Sequence, residues 1–417
     1  MSAKNIFKDS TGTRIAPASW SQFNVPESWT IYNLGEVCSI QTGNGFKGEN
    51  FNSEREGWPL VKRATVNGTE GEPTYTTEEF DERYIVREGD VLVSMDGNFE
   101  VIIWDGPNSA LNQRVCKITS EIEEIDNEYL GYVLQPIIKH CEWSTGGTTV
   151  ASLSNSQLKK INIPVPPVEE QERIVSLLSD VDEYIEKSSE RVTKLQAQKQ
   201  ATLQQIFGND GEIFKDDNGE RIASIVWSRF NMPEEWQSKS LGEIAKFTTG
   251  NSFSSEYFVD APRSNSYPLV RIRDLEDCNP DTYTTEEFDE SRYIVNEGDV
   301  LIGMDGDFRA QFWTGRPAAL NQRVVKVESD SDEVLIEYLG YVLDPIVKQI
   351  SNAVGGTTVT HLSVGQHLEP CNIPVPTVEE QEKIVSLLSD IDSAIEKTQS
   401  DLENMKELKQ GLLQEIF

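Results

Sequence analysis

Two long stretches of the chain carry an unbroken helical period of apolar positions. After Ile163-Pro164-Val165-Pro166-Pro167, whose prolines forbid helix, residues 168–207 run without glycine or proline. Apolar side chains fall at Ile174, Leu178, Val181, Ile185, Val192 and Leu195, with Ser188 filling the gap. These alternating steps of four and three are the seam of a coiled coil. The pattern returns at Ile384, Leu388, Ile391, Ile395, Leu402 and Met405, with Thr398 in the gap. At about 1.5 Å per residue each helix would be roughly 55–60 Å long, too long for one small domain to cover. The preferred partner of each seam is the other helix, related by a pseudo-two-fold axis; the alternative is a packing helix within each domain.

The remainder reads differently. Over about residues 1–160 and 208–370, short β-branched runs alternate with Gly, Asn, Asp and Pro. Val91-Leu92-Val93 follows the turn-like Glu88-Gly89-Asp90, Arg114–Ile118 follows Asn112, and a helix is expected over Asn127–Lys139. The fold class expected for these parts is α+β.

Laid against itself, the chain repeats. Phe7-Lys8-Asp9 returns as Phe214-Lys215-Asp216, and Leu34-Gly35-Glu36 as Leu241-Gly242-Glu243, at an offset of 207. The offset becomes 208 for TYTTEEFDE (Thr74 and Thr282). It is 209 for EGDVL (Glu88 and Glu297), LNQRV (Leu111 and Leu320), EYLGYVL (Glu128 and Glu337) and GGTTV (Gly146 and Gly355). By VEEQE-(Arg173 or Lys383)-IVSLLSD it has reached 210. So slow a drift over so long a period describes tandem duplication of a domain-sized unit, not a solenoid. A chain of 417 residues is in any case too long for one core.

Charge narrows the picture. There are 37 basic and 70 acidic residues, a net of −33, which excludes a generic nucleic-acid or membrane binder but not a local basic groove. Five scattered cysteines with no CxxC and only three histidines exclude a disulfide framework, a thiolate zinc site and most histidine chemistry. The sequence MSAKNIFKDS is no signal peptide, and no apolar run is long enough to span a bilayer, so a cytoplasmic protein is expected.

The motifs are mostly negative. Gly43-Asn44-Gly45-Phe46-Lys47-Gly48 is a literal GxGxxG, but no helix follows it and the second copy reads Gly250-Asn251-Ser252. No phosphate-cradling loop and no [DN]PP[YF] tetrad occur; Glu407-x-Lys409 lies on the coiled-coil helix and is no nuclease motif. No catalytic or metal site is expected. What remains are cations and small polar groups that suit phosphates and guanine edges. In the first copy these are Lys47, Lys62, Arg63, Arg114, Thr148, Thr149, Lys159 and Lys160; in the second, Arg271, Arg273, Arg309, Arg323, Thr357 and Thr358. Each has a plainer reading: Arg114 and Arg323 as structural ion pairs, the GGTT segments as tight turns, Lys62-Arg63 and Arg271-x-Arg273 as surface salt bridges. The changed spacing of that last pair is what base-reading residues should show.

The duplicated IPVP-(Pro167 or Thr377)-VEEQE-(Arg173 or Lys383)-IVSLLSD, each copy opening a long helix, and the EGDVL, MDG, LNQRV and GGTTV segments before it resemble the DNA-specificity subunit of type I restriction–modification enzymes. The resemblance covers essentially the whole chain. It implies two tandem target-recognition domains, each followed by a long helix, with the helices paired as an antiparallel coiled coil. The expected segments are residues 1–162 and 208–372 for the domains, and 163–207 and 373–417 for the helices. Each domain would read one half of a bipartite site in double-stranded DNA. The helices would set the gap and dock two modification (methyltransferase) subunits beside restriction/translocase subunits. S-adenosylmethionine, ATP and Mg²⁺ would then serve the partners, and this chain would be no enzyme. A non-DNA-binding coiled-coil scaffold is the competing reading. The departure from the family is the charge, which suggests a halophilic host, because counterion release drives DNA binding less as salt rises. The shared motifs predict related half-sites. They should differ where the loops differ: Lys47–Trp58 against Ser254–Tyr267, and Asn98–Asn108 against Asp307–Pro317.

Overall fold

A computed structural model of the chain describes residues 26–144, 152–207, 235–306, 308–354 and 361–417. It divides into two compact units, Met1–Ser189 with Gln399–Phe417, and Glu190–Thr398. The division falls inside the long helices: Val168–Phe207 and Val378–Ile416 each contribute to both units.

In the first unit a four-stranded antiparallel sheet runs in the order Cys38–Thr42, Val115–Ser120, Val91–Ser94, Val101–Ile103. The central strand Val91–Ser94 is buried on both faces, which is why it reads as a continuous apolar run. Val91 and Val93 face the main core under the helix Asn127–Ser144, and Leu92 faces a smaller core with Val61, Val86 and Leu111. The EGD turn before it needs its glycine: Gly89 has φ +83°, and the Asp90 carboxylate accepts the Arg87 N–H at 2.8 Å. The smaller core carries a five-stranded sheet, in the order Phe51–Asn52, Tyr75–Thr76, Trp58–Val61, Ser109–Leu111, Ile85–Val86. The second unit repeats both sheets, with Gly298 at φ +90° in its EGD turn and the helix Ile336–Val354 over its main sheet.

The remaining shared motifs join each sheet to its long helix. In EYLGYVL the glycine lets helix meet sheet, since a Cβ on Gly131 would lie 2.4 Å from Ile103 and one on Gly340 2.2 Å from the Phe312 ring. Tyr129 donates to the Pro164 carbonyl at 2.6 Å, and Tyr338 to that of Pro374. The glutamine of VEEQ is fully buried. Gln171 accepts from the Asp126 N–H and donates to the Glu124 and Pro166 carbonyls; Gln381 repeats this with Leu335, Glu333 and Pro376. It therefore satisfies backbone groups at the starts of two helices at once.

Within the first unit Ile174 and Leu178 share the main core with Leu413 and Phe417, and Asp182 pairs with Lys409 at 2.6 Å. The end of the second long helix thus runs antiparallel to the beginning of the first. Within the second unit Leu203 shares a core with Leu388, with Ile206 and Ile384 at its edge, and Asp392 pairs with Lys199 at 2.6 Å. In both ion pairs the residue numbers add to 591. Tyr132 donates to Asp182 and Tyr341 to Asp392, while Lys409 and Lys199 lie over the same two rings. Along the seam Val181, Ser188, Ile391 and Thr398 are buried, and Ile185, Val192, Leu195, Ile395, Leu402 and Met405 are half-buried. No described helix is long and apolar enough to cross a membrane.

Leu177 and Leu178 are neighbours with opposite surroundings, 45% and 0% exposed. Leu178→Ala is expected to lower stability to urea by about 2–5 kcal/mol, and Leu177→Ala by no more than about 0.5 kcal/mol.

Candidate nucleic-acid interface

Each head gathers several polar loops against the ends of its two sheets. The Gly43-Asn44-Gly45 segment lies directly on the LNQR turn. Asn44 donates its N–H to the Leu111 carbonyl at 2.8 Å, and Gln113 donates its own to the Asn44 carbonyl at 2.9 Å. A Cβ on Gly43 would lie 2.2 Å from the Asn112 carbonyl oxygen; Gly250 stands the same way over Asn321. The glycine is there for a close approach of two backbones, which accounts for the literal GxGxxG without a nucleotide.

The TYTTEEF motif fastens the same loop. Glu78 accepts the Lys47 N–H at 3.0 Å and the Asn50 side-chain amide at 2.9 Å; in the second head Glu286 accepts the Ser254 N–H at 2.7 Å. These contacts, led by the Lys47 N–H, hold the Glu78 carboxyl below its usual range. The motif's phenylalanine packs edge-on: Phe80 against Phe46 and Trp58, Phe288 against Phe253 and Tyr267. Lys47 itself is exposed at the loop surface.

The arginine of LNQRV is held by the aspartate of MDG. Arg114 pairs with Asp96 at 2.5 Å, and Arg323 with Asp305 at 2.7 Å. Both arginines are ion-paired, yet they are 61% and 64% exposed while the aspartates are 18% and 16% exposed. A carboxylate set into the surface thus fixes each guanidinium with its far edge turned to solvent, the geometry a guanine edge or a phosphate can use. The backbone of Asp96 also pairs with that of Ser152 in an isolated antiparallel bridge. The backbone of Asp305 pairs in the same way with that of His361, whose Nδ1 lies 2.7 Å from the Asp305 carboxylate. Composition gave no reason to single out His361 or the MDG aspartates; recurrence of MDG at the offset of LNQRV was the available signal.

Other candidates divide. Lys62 and Arg271 hold the same place, each before a short helical turn, and both are engaged: Lys62 with Glu70 at 2.8 Å, Arg271 with Asp274 at 3.0 Å and Asp281 at 2.6 Å. Arg273 shares Asp281, whose carboxyl is held down by Thr282 first and then by the two arginines. For these three the salt-bridge reading accounts for the geometry. Arg309 makes a looser pair with Glu276 at 3.7 Å. Arg63 stays exposed, and its guanidinium lies over Gly97 of the MDG turn. Lys159 and Lys160 sit apart, with the Lys159 backbone against Gly35 beside the ribbon of Thr30–Asn33 and Asn162–Val165; at their offset the second copy has Glu369 and Pro370. Thr148, Thr149, Thr357 and Thr358 lie outside the described residues. Lys409, of the rejected Glu407-x-Lys409 motif, belongs to the ion pair with Asp182. Among the described residues no group of His, Cys, Asp and Glu is arranged to hold a metal ion.

These features define a class: a duplicated protein whose units each lift a polar loop face, with an outward-held arginine, from a sheet core bolted to a long helix. The family model for the type I restriction modification DNA specificity domain matches residues 26–196 and 233–404, and the chain belongs to that family. Its relatives include the EcoBI specificity subunit of Escherichia coli, 24% identical over 94% of this chain and 86% of that protein. The MjaVIII specificity subunit of Methanocaldococcus jannaschii is 23% identical over 93% and 92%. Among solved structures, the type I restriction-modification S subunit from M. genitalium shares the fold, with a TM-score of 0.62 over 94% of this chain and 96% of that one at 18% identity.

Because the folded-state value of Glu78 is depressed, its anchoring contribution is present above the ordinary carboxylate range and is lost as pH falls through the lowered value. Hydrogen exchange at the Lys47 amide, referred to its intrinsic base-catalysed rate at each pH, is therefore expected to lose protection on acidification. At neutral pH it should be roughly tenfold faster in Glu78→Ala than in the parent chain. An unchanged rate would show that the carboxylate does not hold the loop.

Proposed function

We propose that this chain is the DNA-recognition subunit of a type I restriction–modification complex, each head reading one half of a bipartite site in double-stranded DNA. The observation that carries this is the duplicated fork, Arg114 on Asp96 and Arg323 on Asp305, set at the same point of two matching loop faces. Such forks are rigid enough to read a base edge and exposed enough to reach it. Within each unit the two long helices pair antiparallel in the manner of a coiled coil. The common register of the two Asp–Lys pairs supports this, and so does burial of the seam. A rod of this kind would set the gap between the half-sites.

Leu177 and Leu387 are 45% and 49% exposed at matching places near the starts of the two helices. Two equal apolar contacts on a duplicated rod suit two copies of one partner, the methyltransferase subunits. Methyl transfer with S-adenosylmethionine, and translocation and cleavage with ATP and Mg²⁺, belong to those partners and to restriction subunits, not to this chain. The complex works in the cytoplasm. A net charge of −33 fits a salt-rich cell, where base contacts and shape must outweigh counterion release.

With methyltransferase subunits present, the chain is expected to retard DNA in an electrophoretic shift at high salt, and only DNA holding its own site. Mapping methylated bases in host DNA is expected to give a bipartite motif whose halves share bases in inverted orientation, because the two forks are equivalent. Binding to no DNA under these conditions would favour the scaffold reading, and two wholly unlike half-sites would contradict the equivalence of the forks.

A further inference from the structure

Resting on that reading, we infer that Arg63 is the specificity-determining residue by which the first head demands a guanine that the second head does not. The two heads share strands, turns and the Arg–Asp fork, so a difference in what they read must arise where matched positions carry different chemistry. Position 63 is such a place. Lys62 corresponds to Arg271, so the residue after it, Arg63, corresponds to Ile272. Ile272 turns inward: it packs with Val270 and Leu275, and it fits against the strand because Gly303 leaves room, a Cβ there lying 3.3 Å from its methyl carbon. The first head has Ser94 in place of Gly303, with its hydroxyl committed to the Asn98 carbonyl at 3.0 Å and to the Glu100 N–H at 2.9 Å. Arg63 instead lies across the MDG turn, so close to Gly97 that a Cβ there would be 2.7 Å from Nη1. Over the matching Gly306 no described residue stands within 4 Å of such a Cβ.

Arg63, like Lys47, Arg55, Lys159 and Lys160, has no acidic partner among the described residues of the first head, whereas Lys62, Arg83, Arg87, Arg114, Lys117 and Lys139 each have one. Arg63 and the carboxylate-held Arg114 both stand at the MDG turn, so an external acceptor there would meet two guanidinium groups. The first head therefore offers two arginine forks at one turn, Arg63 and Arg114. The second offers one, Arg323, with His361 on the other oxygen of Asp305. Two adjacent forks match two guanine edges in a major groove; one fork matches one. The half-sites should then share the base read by Arg114 and Arg323 and diverge at the base read by Arg63.

The test uses the whole complex of this chain with its methyltransferase subunits, comparing parent, Arg63→Ile and Arg63→Lys by single-molecule sequencing of the DNA each one methylates. Arg63→Ile is expected to relax a single position in one half of the motif, discrimination for guanine there falling about 10- to 100-fold, with the other half unchanged. That unchanged half is the internal control for folding and assembly. Arg63→Lys is expected to weaken the same position, since an ammonium keeps the charge but loses the fork. A motif identical to the parent's in both halves overturns the inference. So does a loss spread evenly over all sequences with a shallower salt dependence, which would make Arg63 a phosphate contact. Absence of any methylated bipartite motif with the parent complex would overturn the DNA-recognition reading and the inference together.

Discussion

In each unit a single carboxylate gathers three helices. Asp182 takes the Tyr132 hydroxyl from the head helix and the Lys409 ammonium from the other long helix, and Asp392 takes Tyr341 and Lys199. The ammonium also lies over the tyrosine ring, so each group touches the other two. Burial, and then the carboxylate itself, push both tyrosine hydroxyls well above their usual pKa, so they remain donors at any ordinary pH. Without this fixed contact a head could turn about its helix, and whatever lies on its loop face would lose its orientation. The buried Gln171 and Gln381 stiffen the same junction at the helix start by tying the turn into the long helix to the segment before the head helix.

On the loop face the fixing elements are backbone and carboxylate; the reading elements are cations. Glycine approaches seat the 43–45 segment, Glu78 ties down its far side, and Asp96 orients Arg114. The second head uses the same devices at Gly250, Glu286 and Asp305. Selection of new half-sites can then act on positions such as 63 and 272, where an exposed arginine in one unit faces an inward isoleucine in the other, while the frame stays constant. In a chain with 70 acidic residues many head cations are claimed by neighbouring carboxylates, and this separates them from those that stay open, such as Lys47 and Arg63.

Part of this was legible in the sequence because it is periodic or repeated. The seam from Ile174 to Leu195 shows as alternating steps of four and three, and Pro167 with VEEQ marks where the helix Val168–Phe207 begins. The pins were not legible. Asp182, Lys199, Asp392 and Lys409 look like any charges on a solvated helix, and only three-dimensional packing brings each opposite its partner and a tyrosine. The candidate site was legible as a set of residue types but not as a ranking. Lys62, Arg271 and Arg273 have the same chemistry as Arg63, and what separates them is an acid contributed from 3 to 10 positions away in the chain. The aspartates of MDG escaped notice because an acidic residue gives no sign, in sequence alone, that its role is to aim an arginine.

The central claim is that Asp182 and Lys409 hold their two long helices in register as an interacting pair. A double-mutant cycle on Asp182→Ala and Lys409→Ala, read by urea unfolding of the full chain, tests it most directly. Because the pair is partly screened by solvent and shares Tyr132, a coupling of about 1 kcal/mol is expected between the two substitutions. Strict additivity of the two losses would contradict it.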